Sequence, residues 1–360
     1  MTYLDYQATT PLAPEALAAM LPWLEHGHAN PHSPHAAGRR AKAAVEVARE
    51  QVAALLPANG AVTFTSGATE ALNWAFSGLG PSRTVTIATE HAAVLESAEA
   101  HGDTVVLPVG QDGLVDLGAA RAAIVPGTAL VAAMLVNNEI GVVQPVAALA
   151  ELAHAAGALF LCDAVQGYGR VPVPADADLI AISAHKVHGP KGIGALWIRD
   201  GVTLAPLLHG GGQEAAGRSG TLSPALCAGF GAAAVLAAER GATDAAHVAT
   251  LFDAALAVLG GGWTVNGSVA ARYRGNLNVR RAGLDVARLM SELRDVAFSA
   301  GSACASGSGR SSHVLRALGL SEAEARSSIR LGFGRYTTQA ELFDALGRID
   351  AAARAQRIAA

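Results

Sequence analysis

Short, nearly continuous apolar runs alternate with alanine-rich stretches of helical length from the start of the chain to about residue 240. The runs at 61–65, 83–88, 104–108, 129–136, 158–162, 178–183 and 193–198 read as strands, and several carry hardly a polar side chain. A strand with one face in water alternates apolar and polar residues; a strand covered on both faces does not. Helical stretches at 69–79, 91–101 and 146–156 lie between these runs, and others at 14–25, 41–56 and 224–240 flank them. The alternation predicts an α/β domain with a mainly parallel sheet. Past Gly241 the pattern changes. A helix at 243–259 runs into three glycines, and a strand at 276–279 then mixes with helices at 285–293 and 338–355. A large domain over 12–242 and a smaller α+β domain made of 1–11 and 243–360 are therefore expected.

Composition agrees with two folded units. A chain of 360 residues holds about two domains at ~100–200 residues each. With 51% hydrophobic and 16% charged residues there is ample material for a core, and intrinsic disorder is excluded. The net charge of −4 leaves no basic surplus to neutralise phosphates, which excludes a dedicated nucleic-acid binder. The three cysteines, Cys162, Cys227 and Cys304, are too scattered for a disulfide framework or a closed metal site, and they suit a reducing cytoplasm. No basic stretch followed by an apolar one opens the chain. The longest clean apolar run, 129–136, is far short of the ~20 residues of a membrane helix. A cytoplasmic enzyme with no membrane partner is the expectation.

In open α/β sheets ligands bind beyond the carboxyl ends of the strands, so the residues after each run are the ones that carry chemistry. After 61–65 come Ser66, Gly67, Ala68 and Thr69, a turn into a helix whose free N–H groups suit a phosphate or simply need a cap. His91 opens the helix after 83–88; it caps that helix or stacks on an aromatic cofactor and moves protons. Asn138 follows 129–136 as a donor at a strand end. Asp163, after 158–162, needs a cationic or hydrogen-bonding partner: it caps a turn or pairs with a pyridinium nitrogen, with Gln166 one turn on. Lys186 emerges from the apolar run 178–183 through Ala184 and His185. Either it is a surface lysine in the basic run 185–191, or desolvation there lowers its pKa and makes its amine a nucleophile toward aldehydes. The segments His209–Gln213 and 218–221 are glycine-rich and flexible enough to reach a neighbouring site.

A phosphate cup, a stacking histidine, an acid for a ring nitrogen and a Schiff-base lysine, in that order, resemble the fold-type-I pyridoxal-phosphate enzymes. The stretches LDYQATTP (4–11), FTSGATEALN (64–73), TEHAAVLE (89–96), VNNEIGVVQP (136–145), DAVQGYGR (163–170), SAHKVHGPKGIGALW (183–197), RSGT (218–221), SAGSACAS (299–306) and SSIRLGFGR (327–335) resemble the cysteine desulfurase family in its NifS/IscS-like branch. The resemblance implies a large domain with a mainly parallel sheet, a smaller α+β domain, and pyridoxal 5'-phosphate as cofactor. It implies that Lys186 holds the cofactor aldehyde, His91 stacks on the ring, Asp163 binds the ring nitrogen and Gln166 the ring hydroxyl. Ala68, Thr69, Ser183 and His185 would hold the phosphate. Thr221 would reach the phosphate of a partner subunit, which implies a homodimer. Asn138, beside the cofactor, and Arg330 would bind the carboxylate of the substrate, L-cysteine.

Cys304 sits in SAGSACASGSGRSS (299–312), a stretch of Gly, Ser and Ala with almost no apolar anchor, whereas Cys162 and Cys227 have apolar neighbours and read as core. A reactive thiol must be accessible, and by sequence only Cys304 meets that condition, although the stretch by itself reads equally as a linker with an incidental cysteine. With the resemblance it becomes the catalytic cysteine, taking sulfur from L-cysteine as a persulfide, leaving L-alanine and passing the sulfur to an acceptor protein in iron–sulfur cluster assembly, tRNA thiolation or related chemistry. GSAC followed by a longer loop and HVLRALG (313–319) resembles the branch that hands sulfur directly to acceptors. Two departures bear on the acceptor. Glu214-Ala215-Ala216-Gly217 lacks the family's usual arginine after the glutamate, and the chain ends at Ala360 where scaffold-docking members carry a longer tail. A selenocysteine lyase or another lyase on this fold is the alternative within the class. A non-catalytic sulfur-protein scaffold is the alternative outside it.

Overall fold

A computed structural model describes residues 1–301 and 311–356. Cys304 therefore lies outside the described residues.

The seven expected strands are all present and form one seven-stranded sheet. In chain order they are β2 (Gly60–Thr65), β3 (Arg83–Ile87), β4 (Thr104–Leu107), β5 (Thr128–Met134), β6 (Leu159–Asp163), β7 (Leu179–Ser183) and β8 (Gly194–Arg199), after a short β1 (Thr2–Tyr3) that pairs elsewhere. Across the sheet the order is β2-β8-β7-β6-β5-β3-β4. β8 runs antiparallel to both neighbours, and the other pairings are parallel. The carboxyl ends of β2, β3, β5, β6 and β7 consequently share one edge.

The apolar runs follow from burial on both faces. Val131 and Ala133 of β5 enter one core with Phe160, Cys162, Ile180 and Ile182, while the alternate residues Leu130 and Ala132 enter another with Leu161, Leu179 and Ala181. The first face is covered by α1 (Pro14–Glu25), α2 (Ala36–Ala53), α5 (Leu117–Ala123), α6 (Val146–Ala155) and the start of α7 (Pro224–Leu259). The opposite face is covered by α3 (Ala68–Ser77) and α4 (Ala92–His101). Helix α2 begins earlier than its apolar pattern suggests because the His35 ring accepts from Gly38 N–H, capping a first turn that carries no apolar stripe.

The expected break at Gly241 is absent: α7 runs unbroken from Pro224 to Leu259. One glycine inside a helix costs only about 1 kcal/mol. Burial at both ends outweighs it. Phe230, Ala233, Ala234 and Ala237 pack into the sheet core, and Leu251, Phe252, Ala255 and Leu259 into a second core. Ser223 caps the N-terminus with Pro224 behind it. The helix is long and apolar enough, by length and composition alone, to cross a membrane, yet its buried face joins two cores of the same chain.

The second core lies under a four-stranded sheet of order β12-β13-β10-β9. Its strands are β9 (Thr264–Val265), β10 (Asn276–Arg280), β12 (Ser299–Ala300) and β13 (Ser328–Gly332), with β11 (Val296–Ala297) pairing with β1. Helices α8 (Val286–Glu292), α9 (His313–Ala317), α10 (Glu322–Arg326) and α11 (Gln339–Ala355) complete this part. Ser321 and Thr338 close capping boxes at α10 and α11. Leu4 belongs to this second core, so the N-terminal strand is anchored here before the chain crosses to the large sheet.

Candidate active site

A cavity of about 620 Å³ opens at the shared carboxyl edge of the large sheet. Ala68, Thr69, His91, Asn138, Asp163, Gln166, Ser183, His185, Lys186 and Arg330 all line it. Thr221 does not; it is exposed on the segment leading into α7. Cys304 lies outside the described residues.

Sheet geometry explains most of this convergence. Asp163 is the last residue of β6 and Ser183 the last of β7, and a single 3₁₀ turn, Ala184–Lys186, carries the lysine over the edge. β2 delivers Ser66 and Gly67 to the start of α3, where no side chain caps the helix. A Cβ added at Gly67 would meet nothing within 4 Å, so the backbone there faces open space. On its other side Gly67 is packed tightly: a Cβ at Gly194 would come within 2.7 Å of its carbonyl carbon. The uncapped N–H groups and positive dipole end of α3 thus border the cavity.

The Lys186 ammonium donates to the carbonyls of Gln7 (2.6 Å) and Ala8 (2.8 Å). Burial, reinforced by Arg170 and Arg330, pushes its pKa down to about 8, against an opposing pull from Asp163 and Asp5. A substantial neutral fraction is then present near neutrality, which makes the amine a nucleophile. Burial raises the Asp163 carboxyl, while the N–H of Val165 (2.9 Å) and the charges of His91 and Lys186 oppose the shift. His91 accepts from Ala93 N–H at Nδ1 (3.1 Å), which assigns the proton of its neutral ring to Nε2. Burial lowers its pKa, so the imidazole is neutral and presents Nε2–H as a hydrogen-bond donor. Burial and the nearby Lys186, Lys191 and Arg170 drive His185 down to about 4.

These groups fit pyridoxal phosphate. The nucleophilic amine suits its aldehyde, the desolvated Asp163 suits a protonated ring nitrogen, and the uncapped start of α3 with neighbouring cationic side chains suits its phosphate.

Several groups at the site carried no role in the sequence reading. Gln7 and Ala8 supply the carbonyls that hold Lys186, and Gln166 donates to the same Gln7 carbonyl (2.9 Å). Arg170 ties Gln166 Oε1 (2.8 Å) to the Lys186 carbonyl. Glu90 is fully buried; its carboxyl accepts from the N–H groups of Met134 and His91, and burial with the nearby Asp163 charge pushes it well up. The motif LDYQATTP was a signal for Gln7 and Ala8, DAVQGYGR for Arg170 and TEHAAVLE for Glu90, although none was assigned a role. Arg330 is 1% exposed and already paired with Asp5 at 2.7 Å, so it is not a bare clamp. Glu214, which lacks the local arginine, is held instead by Arg49 (2.7 and 3.0 Å). Arg218 anchors the glycine-rich segment to Glu70 in the first turn of α3 (2.8 Å). Cys162 and Cys227 are buried thiols whose pKa values burial raises, Cys227 to about 12.

Residues 2–345 match the aminotransferase class-V family. The chain is 42% identical over 360 residues to "Cysteine desulfurase IscS" of Rickettsia bellii, covering 94% of this chain and 88% of that protein. It is 43% identical to "Probable cysteine desulfurase, mitochondrial" of Dictyostelium discoideum, covering 94% and 80%. The fold superposes on the crystal structure of a NifS-like protein from Rickettsia africae with a TM-score of 0.91 at 28% identity, over 98% and 99% of the two chains. With these matches spanning both sheets and every cavity wall, the chain belongs to the cysteine desulfurase family of class-V aminotransferases.

Proposed function

We propose that this chain removes sulfur from L-cysteine, releases L-alanine and keeps the sulfur as a persulfide on Cys304 for delivery to an acceptor protein. The observation that carries this reading is the meeting of Lys186, Asp163 and His91 in one cavity, with the lysine amine lowered to about 8. Lys186 would hold pyridoxal phosphate through its amine, Asp163 its ring nitrogen and Gln166 its ring hydroxyl, with His91 against the ring. Ala68, Thr69, Ser183 and His185 would hold its phosphate. When bound, the cofactor supplies an electron sink that makes the substrate's α-proton and Cβ–S bond labile.

The protein's own groups do the rest. Arg330, with Asn138 beside it, binds the substrate carboxylate and sets the amino acid in the cavity. Lys186 would be the base for the substrate's α-proton, and its low pKa keeps it competent near neutrality. Neutral His91, with its proton on Nε2, would donate a hydrogen bond to the thiolate. The Cys304 thiolate forms the new S–S bond to the substrate sulfur while the Cβ–S bond breaks, its electron pair staying with the carbon that becomes the methyl group of alanine.

The large domain, 12–242, carries the cofactor groups, and 1–11 with 243–360 form the small domain; the separate core containing Leu4 and the end of α7 supports this division. Thr221, exposed and outside its own cavity, fits a role in a partner subunit of a homodimer. The free buried thiols suit the cytoplasm.

The test compares wild type with Cys304→Ala, measuring alanine and sulfide from L-cysteine with a thiol reductant. Equimolar products from wild type and a loss of both in the variant are expected. Unchanged sulfide release by Cys304→Ala would defeat the persulfide route.

A further inference from the structure

The N-terminal motif 4–11 has a place in the cavity but no role in the reaction so far, and its one charged residue faces the arginine assigned to the substrate carboxylate. Arg330 Nη2 donates to Asp5 Oδ1 (2.7 Å) and to Ser299 Oγ (3.2 Å), while Nη1 donates to the Asn138 carbonyl (3.1 Å). The Ser299 hydroxyl in turn donates to the same Asp5 oxygen (2.9 Å). Ser299 stands opposite Arg330 in the β12–β13 ladder, and Asp5 bridges Gly332 two residues further along β13. The arginine lines the cavity; Asp5 and Ser299 do not.

We propose that Asp5 is a positioning residue for substrate binding: from behind the cavity wall it fixes the Arg330 guanidinium so that the arginine meets the amino acid's carboxylate in a set plane. The inference rests on the reading of Arg330 as the carboxylate-binding group. The physical need is twofold. A buried guanidinium without a counter-charge is strongly unfavourable, and Asp5 supplies that charge before any substrate arrives. A planar fork also binds a carboxylate well only in one orientation. Asp5 and Ser299 at one nitrogen and the Asn138 carbonyl at the other remove rotation about the guanidinium stem. The substrate then loses little free energy in ordering the clamp. Because Asp5 touches neither cofactor nor reacting atoms, its effect belongs in binding and not in the chemical step.

The experiment uses the full chain loaded with pyridoxal phosphate. Asp5→Asn keeps the shape and an acceptor oxygen but removes the charge. It should raise KM for L-cysteine about tenfold, the scale of one charge-assisted hydrogen bond, with kcat within about twofold. The dissociation constant of L-alanine, read from cofactor absorbance, should rise by the same factor, while the absorbance without amino acid stays as in wild type. Ser299→Ala, which leaves both charges in place, should raise KM about threefold and serves if Asp5→Asn does not fold. In an Arg330→Lys background, Asp5→Asn should add nothing further. The inference is overturned if Arg330→Lys raises KM while Asp5→Asn and Ser299→Ala do not, if the Asp5 and Arg330 effects multiply, or if kcat falls with KM unchanged. An unchanged KM in Arg330→Lys alone would instead overturn the carboxylate reading, and the role of Asp5 with it.

Discussion

On the sheet side of the cavity, Asp163 and Ser183 are the final residues of two paired strands, and Lys186 stands one turn beyond. Against the lysine lie Gln7 and Ala8, with Asp5 behind the cavity wall, in an N-terminal segment with only an isolated bridge at Asp5, held by contacts to residues hundreds of positions away. The sheet wall is thus placed by a ladder buried on both faces. The N-terminal wall is placed by its partners, and it spans from the second core at Leu4 to the His185 carbonyl, which accepts from both Thr10 N–H (2.9 Å) and its hydroxyl (2.9 Å). One wall carries the reactive groups; the other holds and orients them.

That contrast assigns loss of catalysis to the sheet wall and loss of binding to the other. The largest expected effect is at Lys186: Lys186→Ala should lower the rate of alanine formation at saturating L-cysteine by at least about 10³-fold, the scale of removing a catalytic base. A variant retaining a tenth of the activity would break the contrast outright. Asp163→Asn should cost about 10²-fold in kcat, as expected for one preorganised electrostatic partner, with a smaller change in KM. A KM effect larger than the kcat effect would move Asp163 to the binding wall.

Next in size is a pH dependence. Only the neutral amine condenses with an aldehyde. The Lys186 pKa is lowered to about 8, so cofactor uptake by the apoprotein should quicken about tenfold per pH unit below that value and level off above it. A rise that continues to pH 10 in stopped-flow absorbance would mean an ordinary, solvated lysine. The smallest effect is a control in the small domain away from the cavity. Thr338→Ala removes the α11 cap and should cost about 1 kcal/mol in denaturant unfolding, leaving KM for L-cysteine unchanged.

The same contrast explains what the sequence made legible. A strand buried on both faces leaves a continuous apolar run, and the residues after it are at the ligand edge, so Asp163, Lys186 and His91 could be named from position, whereas Ser183 came only with the family resemblance. The N-terminal wall acts through backbone carbonyls at Gln7 and Ala8, and a carbonyl has no side-chain signature. Glu90 was passed over because its meaning depends on the depth of burial beside Asp163. The unbroken α7 was misread at Gly241 because the cost of one glycine is local, whereas the cores that outweigh it lie at either end of the helix. The small-domain strands of two residues, β9, β11 and β12, are too short to show any period.

Reduction of the cofactor-loaded protein with borohydride, followed by peptide mass mapping, tests the account most directly. The chain has only three lysines, Lys42, Lys186 and Lys191, and two of them line the cavity. A pyridoxyl-phosphate adduct on Lys186, with Lys42 and Lys191 unmodified, is the predicted result. An adduct on Lys191, or none at all, would contradict it.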